Sequence, residues 1–461
     1  MDRALRENAL RSSIMNTDHP MLNKLDELIA RAQTAGADAA DAVYVEGRSL
    51  SLSQRLGERE NLERSEGTDL GLRVFVGNRQ AIVSSSDISG DALDELASRA
   101  VAMARSVPED PFCGLAGEDA VATEFPDLDI FDEIEPTPDQ LSDMAGRAED
   151  AARAIPGVTN SEGAEAGWGV TMVAIAASNG FAGSYSRSGV SLSVSVLAGE
   201  GTKMERDYDY ATTAFLADLP EPEAIGRNAG ERAVRRLNPK KMGSGSVPVV
   251  LDPRVSNGIV GHLASAINGA SVARGMTFLK DKMGRALFPK NVTITDDPLR
   301  RRGLRSKPFD GEGVATKPLN LIDGGVLTTW IMDLRAARQL GLKTTGHASR
   351  GTSGPPSPSP TNLFMEPGEP NPADLMGDIK SGLYITEMIG FGINGVTGDY
   401  SRGAGGFWIE NGELTYPVSE ITVAGNLIDM FANITAANDL EFRYGTNAPT
   451  LRIEGMTIAG K

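Results

Sequence analysis

A chain of 461 residues with 45 Lys plus Arg against 62 Asp plus Glu carries a formal charge of −17, which disfavours attraction to nucleic-acid phosphates or anionic lipid. Its single cysteine, Cys113, excludes an intrachain disulfide and any multi-cysteine metal cluster. The length suffices for roughly two to three domains, no apolar run reaches the roughly 18 residues of a membrane span, and residues 1–20 lack the apolar core of an export signal, so a cytoplasmic protein is expected.

Residues 1–20 read as a disordered extension, within which Met15 offers an alternative start. Met21, Leu22, Leu25, Leu28, Ile29 and Ala32 then recur at helical spacing behind Asp18 and Pro20, predicting an opening helix. Alternation over 49–56 predicts a strand, and the run 70–86 predicts two more around a Gly77-Asn78 turn. Leu93, Leu96, Ala97, Ala100 and Val101 place a second helix within 89–108. After an acidic, proline-bearing connector over 107–137, the order recurs: a helix at 138–155, strands at 168–177, 189–198 and 207–215, and a helix at 221–237. This recurrence reads either as a two-part duplication, 21–106 and 138–237, or as two adjacent stretches that merely look alike. Helices segregated from antiparallel strands give an α+β fold class.

The stretch 238–250, NPKKMGSGSVPVV, has the composition of a linker and divides an N-terminal α+β domain, 21–240, from a C-terminal domain, 241–461. The latter opens with a strand at 247–251 and a helix predicted over 255–272. Short strands follow, broken by FDGEG, IDGG, RGAGG and ENGE turns, so a sheet-rich, barrel-like domain is expected. Residues 350–364, RGTSGPPSPSPTNLF, carry too many prolines for a helix or central strand and read as a loop ordered by contact or as a flexible tether.

Chemistry-bearing motifs are sparse. No P-loop occurs, GFGING at 390–395 lacks the βαβ context of a dinucleotide site, and no G-x-S-x-G elbow is present. Asp296-Asp297 read as a strand end before Pro298, Tyr208 and Tyr210 as strand packing, and LRRRGLRSK at 299–307 as a solvated loop or a contact for an acidic partner or peptide. His262 sits at the edge of an apolar helix face made by Val255, Ile259, Leu263 and Ile267, where a packed histidine is expected.

Three segments in order, VVLDPRVSNGIVGHLASAINGASVARG, PSPTNLFMEPG and NGVTGDYSRGAGGFWIENGELTYPVSEITVAGN, resemble the TldD/PmbA family, long labelled modulators of DNA gyrase and understood as metallopeptidases. The resemblance extends from about Met21 onward and is densest after residue 245. In the family's catalytic branch, two histidines of a His-Glu-x-x-x-His helix and a C-terminal cysteine bind zinc while the glutamate acts on the water. Here HLASAI keeps His262 but places Leu263 at the glutamate position and Ile267 at the second histidine position, and no cysteine follows Cys113.

The resemblance therefore points to the PmbA branch, also called TldE, with no catalytic residue, metal ligand or cofactor in this chain. It implies a TldD-type catalytic subunit that supplies zinc, and unstructured peptides as substrates for proteolysis and peptide maturation. Self-pairing into a homodimer stays open for the chain alone, and neither nucleic acid nor membrane is an expected partner. Two other readings stay open: an independently active metallopeptidase, and a non-proteolytic regulator of the gyrase-modulator type.

Asp399, Tyr400 and Arg402 are candidate contacts to partner or peptide, with Asp399 and Arg402 either bracing their loop or facing a shared cavity. Phe407 and Trp408 are expected on opposite strand faces, with Asn411-Gly412 turning a hairpin.

Overall fold

Hydrophobic spacing places the first helix at Pro20–Thr34, whose Leu22, Leu25, Leu28, Ile29 and Ala32 are buried. The computed structural model describes residues 19–460. The expectations for the N-terminal extension, Met15 and Asp18 therefore lie outside the described residues, except at His19 and Pro20. His19 itself caps the helix, its Nδ1 accepting from the Met21 N–H at 3.2 Å.

Six strands form one antiparallel sheet: β1 (Ala39–Arg55), β2 (Glu58–Val76), β3 (Arg79–Ser85), β4 (Val158–Ala177), β5 (Ala182–Ala198) and β6 (Glu205–Thr213), in the order β3-β2-β1-β4-β5-β6. Each half has the order helix, three strands, helix, the outer helices being Pro20–Thr34 with Gly90–Ser106 and Pro138–Arg153 with Pro222–Arg235. The halves join where β1 pairs with β4.

Several strands are much longer than their alternation suggests. Residues 58–68 are exposed throughout, so that half of β2 has no buried face to leave a period-two pattern. The helices cover one face of the sheet, packing Leu25, Leu28 and Leu96 on Leu72 and Val74 in one half, and Leu141 and Ile225 on Leu52 and Leu192 in the other. Pro138–Arg153 starts with a reciprocal capping box between Thr137 and Gln140.

The C-terminal part contributes β7 (Gly245–Leu251), β8 (Ile294–Asp296), β9 (Leu319–Asp323), β10 (Val326–Leu327), β11 (Ala348–Ser349), β12 (Ser357–Pro358), β13 (Leu363–Met365), β14 (Ser381–Ile389), β15 (Asp399–Glu410), β16 (Glu413–Asn426), β17 (Ile434–Ala436), β18 (Thr446–Asn447) and β19 (Leu451–Ala459). Because β19 pairs with both β7 and β16, the strands β16-β15-β14-β7-β19 close into a ring, with β17 appended to β19. Closure removes free strand edges and meets the barrel-like expectation. A smaller sheet runs β10-β9-β8-β13-β18.

Two local expectations change. The helix predicted over 255–272 is two, Pro253–Ala266 and Gly269–Ala273, because the Asn268 side chain accepts from the Ala270 and Ser271 N–H groups and starts the chain afresh. Gly269 also passes close to the Ile331 carbonyl, which a Cβ would approach to 2.9 Å. The basic run 299–307 is braced and not simply solvated: Arg302 binds Asp129 at 2.7 Å and Asp218 at 2.8 Å, while half-buried Lys307 donates to the Ala348 carbonyl at 2.9 Å. Tyr208 and Tyr210 lie side by side, ring centroids 6.2 Å apart.

Odd-numbered residues at the start of β1 face the C-terminal part. Val43, Ile175 and Phe181 pack with Phe309, around which Phe125, Phe181 and Tyr185 stand edge-on at 5.0–5.4 Å. Beside them Asp41 and Arg73, opposite one another on β1 and β2, meet Arg350 and Glu312. Arg350 reaches Asp41 at 2.6 Å, and the Thr352 hydroxyl donates to Asp69, so the proline-rich segment is ordered by contact. Burial pushes the Asp41 carboxyl up, but Arg350 and Arg73 outweigh it and hold it below its ordinary value.

Asp41→Ala would strand the buried Arg350 guanidinium and leave Arg73 with Glu312 alone. The expected cost is about 3–5 kcal/mol, seen as a fall in the unfolding midpoint, whereas Arg64→Ala on the exposed ribbon should leave that midpoint nearly unchanged.

Candidate functional site

Pro253–Ala266 begins where the Asp252 carboxylate caps the Arg254 N–H at 2.9 Å, and Pro253 suits the first helical position. Its Ile259, Val260 and Leu263 enter the core with Leu383, Trp408 and Ile453 of the ring. This sets His262 at the margin of that core, edge-on to Tyr400 of β15 with ring centroids 5.9 Å apart.

Strand parity sorts the β15 candidates. Tyr400 and Arg402, two positions apart, share a face, and Asp399 points the other way. Tyr400 is buried, its hydroxyl against Met388 Sδ at 3.6 Å and the Arg402 side chain. Burial raises its pKa, with Arg402 opposing.

Asp399 is exposed, accepts from the Thr397 hydroxyl at 2.6 Å and the Asn426 amide at 3.2 Å, and has its pKa lowered by those two bonds. It thus braces the turn before β15. Arg402 takes no part in that bracing.

Arg402 is half-buried, and no carboxylate pairs with it among the described residues. Its Nε and the Nε2 of His262 are both shielded from solvent without a hydrogen-bond partner. Burial, then the positive charge of Arg402, pushes the His262 pKa down from 6.5 to about 4, so its imidazole is neutral at pH 7.

Leu263 and Ile267 are fully buried in the apolar core. Cys113 lies in the connector between the first two helical pairs, its N–H bonded to the Asp110 carbonyl at 3.1 Å. The donors of a three-ligand zinc site are not brought together, and among the described residues no group of three or more His, Cys, Asp or Glu side chains could hold a metal ion. The buried carboxylate Asp296 instead accepts from Thr361 N–H at 2.7 Å and sits 3.1 Å from His347 Nε2, a structural node at the end of β8.

Trp408 enters the core while Phe407 lies under the Arg235 guanidinium, 4.9 Å from its centroid. Asn411 and Gly412 turn the β15–β16 hairpin with φ of 51° and 84°. Sequence reading missed the unpaired state of Arg402 and the exposed Ile389, Phe391 and Val396 on the segment before β15. A phenylalanine set among the glycines of GFGING was the available signal for the second feature; the first depends on what is absent around a side chain.

Among known proteins, the chain matches models described as PmbA/TldA metallopeptidase domain 1 over residues 40–104, central domain over 131–237 and C-terminal domain over 244–460. It is 38% identical over 442 residues to the metalloprotease PmbA of Escherichia coli O157:H7, covering 95% of this chain and 96% of that protein. To a metalloprotease PmbA homolog of Haemophilus influenzae it is 36% identical, covering 93% and 94%. A crystal structure described as a putative modulator of DNA gyrase from Bacteroides thetaiotaomicron matches with TM-score 0.87 and 28% identity, covering 95% of this chain and 98% of that one. TldE of Thermococcus kodakarensis, at 20% identity, TM-score 0.85 and coverage of 95% and 100%, shares the fold.

The depressed His262 pKa gives a signed expectation. Between pH 6.5 and about 4 the unfolded chain binds a proton that the folded chain refuses, so this group's contribution is present above 6.5 and is lost as pH falls toward 4. His262→Phe should abolish up to about 3 kcal/mol of acid sensitivity over that window, measured as the difference between the variants' unfolding free energies against pH. A His262 ring titrating near 6.5 by NMR would contradict the assignment.

Proposed function

The chain belongs to the PmbA/TldD metallopeptidase family, and on that premise we propose that it is the non-catalytic subunit of a heteromeric cytoplasmic zinc metalloprotease. A TldD-type subunit supplies the zinc and the general base. The observation that carries this reading is the burial of Leu263 and Ile267 at the positions where the resemblance calls for the glutamate and the second histidine. Neither side chain can bind metal or take a proton, and both fill the core.

Unstructured peptides are the proposed substrates, processed by proteolysis and maturation. The face of the six-stranded sheet opposite its helices supports this reading. Two open hollows there, of about 490 and 470 Å³, are floored largely by small side chains including Gly47, Ser49, Gly169 and Gly189. Such a floor lets an extended backbone approach closely without selecting side chains.

The partner's proposed seat is the segment before β15, where Phe391 is fully exposed and Ile389 and Val396 are mostly so. No helix among the described residues is long and apolar enough to cross a membrane.

Metal content and peptide cleavage are compared for this chain, for a TldD-type subunit and for their mixture. Zinc is expected only with the partner and full cleavage only in the mixture; zinc-dependent cleavage by this chain alone would defeat the proposal. Phe391→Asp should weaken the complex about tenfold or more in sedimentation or light scattering, with the chain's unfolding midpoint retained. The same measurement on the chain alone shows whether it self-pairs.

A further inference from the structure

Buried arginines in this acidic chain generally have carboxylate partners. Arg73 has Asp41 and Glu312, Arg254 has Asp207 at 2.8 Å, and Arg236 has Glu387 at 2.5 Å. Arg402 departs from that pattern. The Tyr400 hydroxyl and the His262 imidazole both feel its charge, and neither balances it.

Two shielded nitrogens without hydrogen-bond partners, Arg402 Nε and His262 Nε2, belong to side chains that both border Tyr400, and leaving such groups unpaired is costly. The helix has room on the side of His262: a Cβ built on Gly258, one helical step of four from it, meets nothing within 4 Å.

We propose that Arg402 and His262 form a carboxylate-binding site between β15 and the helix Pro253–Ala266, engaging a carboxylate of an unstructured peptide. A planar guanidinium matches a carboxylate through two parallel N–H donors, and a neutral imidazole adds one more. The chain's charge of −17 disfavours a doubly charged phosphate more than a singly charged carboxylate. The site rests on the peptide-handling role proposed above and names the group that is held. Arg402 and His262 bind and orient; no bond is made or broken.

The test uses the full chain alone, by calorimetry, with three short acetylated alanine peptides: the free C-terminal acid, its C-terminal amide, and an amide bearing one internal glutamate. The free acid is expected to bind and to shift the His262 ring resonances. Arg402→Gln should weaken it about tenfold or more, and Arg402→Lys, which keeps charge but loses the fork, should restore only part.

Binding of the acid but neither amide identifies the peptide terminus as the source of the carboxylate. Arg402-dependent binding of the glutamate amide identifies a side-chain source. No binding of either carboxylate peptide, equal binding of acid and plain amide, or wild-type affinity in a folded Arg402→Gln variant would overturn the site. Because the chain is tested alone, failure to assemble with a TldD-type subunit would defeat the subunit role and leave this result standing.

Discussion

The charge cluster centred on Asp41 sets how the two halves of the molecule meet. Asp41 and Arg73 are brought face to face by the β1–β2 register, and Arg350 arrives from the proline-rich segment of the C-terminal part. Such a cluster gives little net stability over an apolar contact, but it tolerates few alternative arrangements, because any shift leaves charge buried without a counterion. Farther along the sheet, Arg254 of the His262 helix binds Asp207 of β6, and Arg443 reaches Asp209. The helix carrying His262 is thus referenced directly to the N-terminal sheet.

That placement matters for the local chemistry. The helix presents Leu263 and Ile267 to the core, and its His262 is held neutral by burial and by Arg402. A neutral ring beside a guanidinium that has no carboxylate counterion makes this spot favour an anion over a cation.

Residue type was the most legible property. Leucine in place of glutamate and isoleucine in place of histidine are statements about donors, and they need no coordinates. The amphipathic helices were legible too, since one buried stripe imposes a 3.6-residue period. The full lengths of β1 and β2 were not, because an exposed ribbon leaves no alternation. Nor was the helix break at Asn268, where the neighbouring Ile331 segment decides against a sequence with good helical spacing. Asp399 and Arg402 looked like one cluster in the sequence; strand parity separates them, leaving one to brace a turn and the other to face His262.

The ring of the C-terminal part closes through β19, which lies between β7 and β16. Its first strand therefore waits for its last. During synthesis from the amino end, the six-stranded sheet can be complete while β7 and β16 still present unpaired edges, and only β19 covers both. Such non-local closure is slow and exposes pairing templates in the interval. The helix carrying His262 would then settle late, on a scaffold that takes its shape only once β19 is in place.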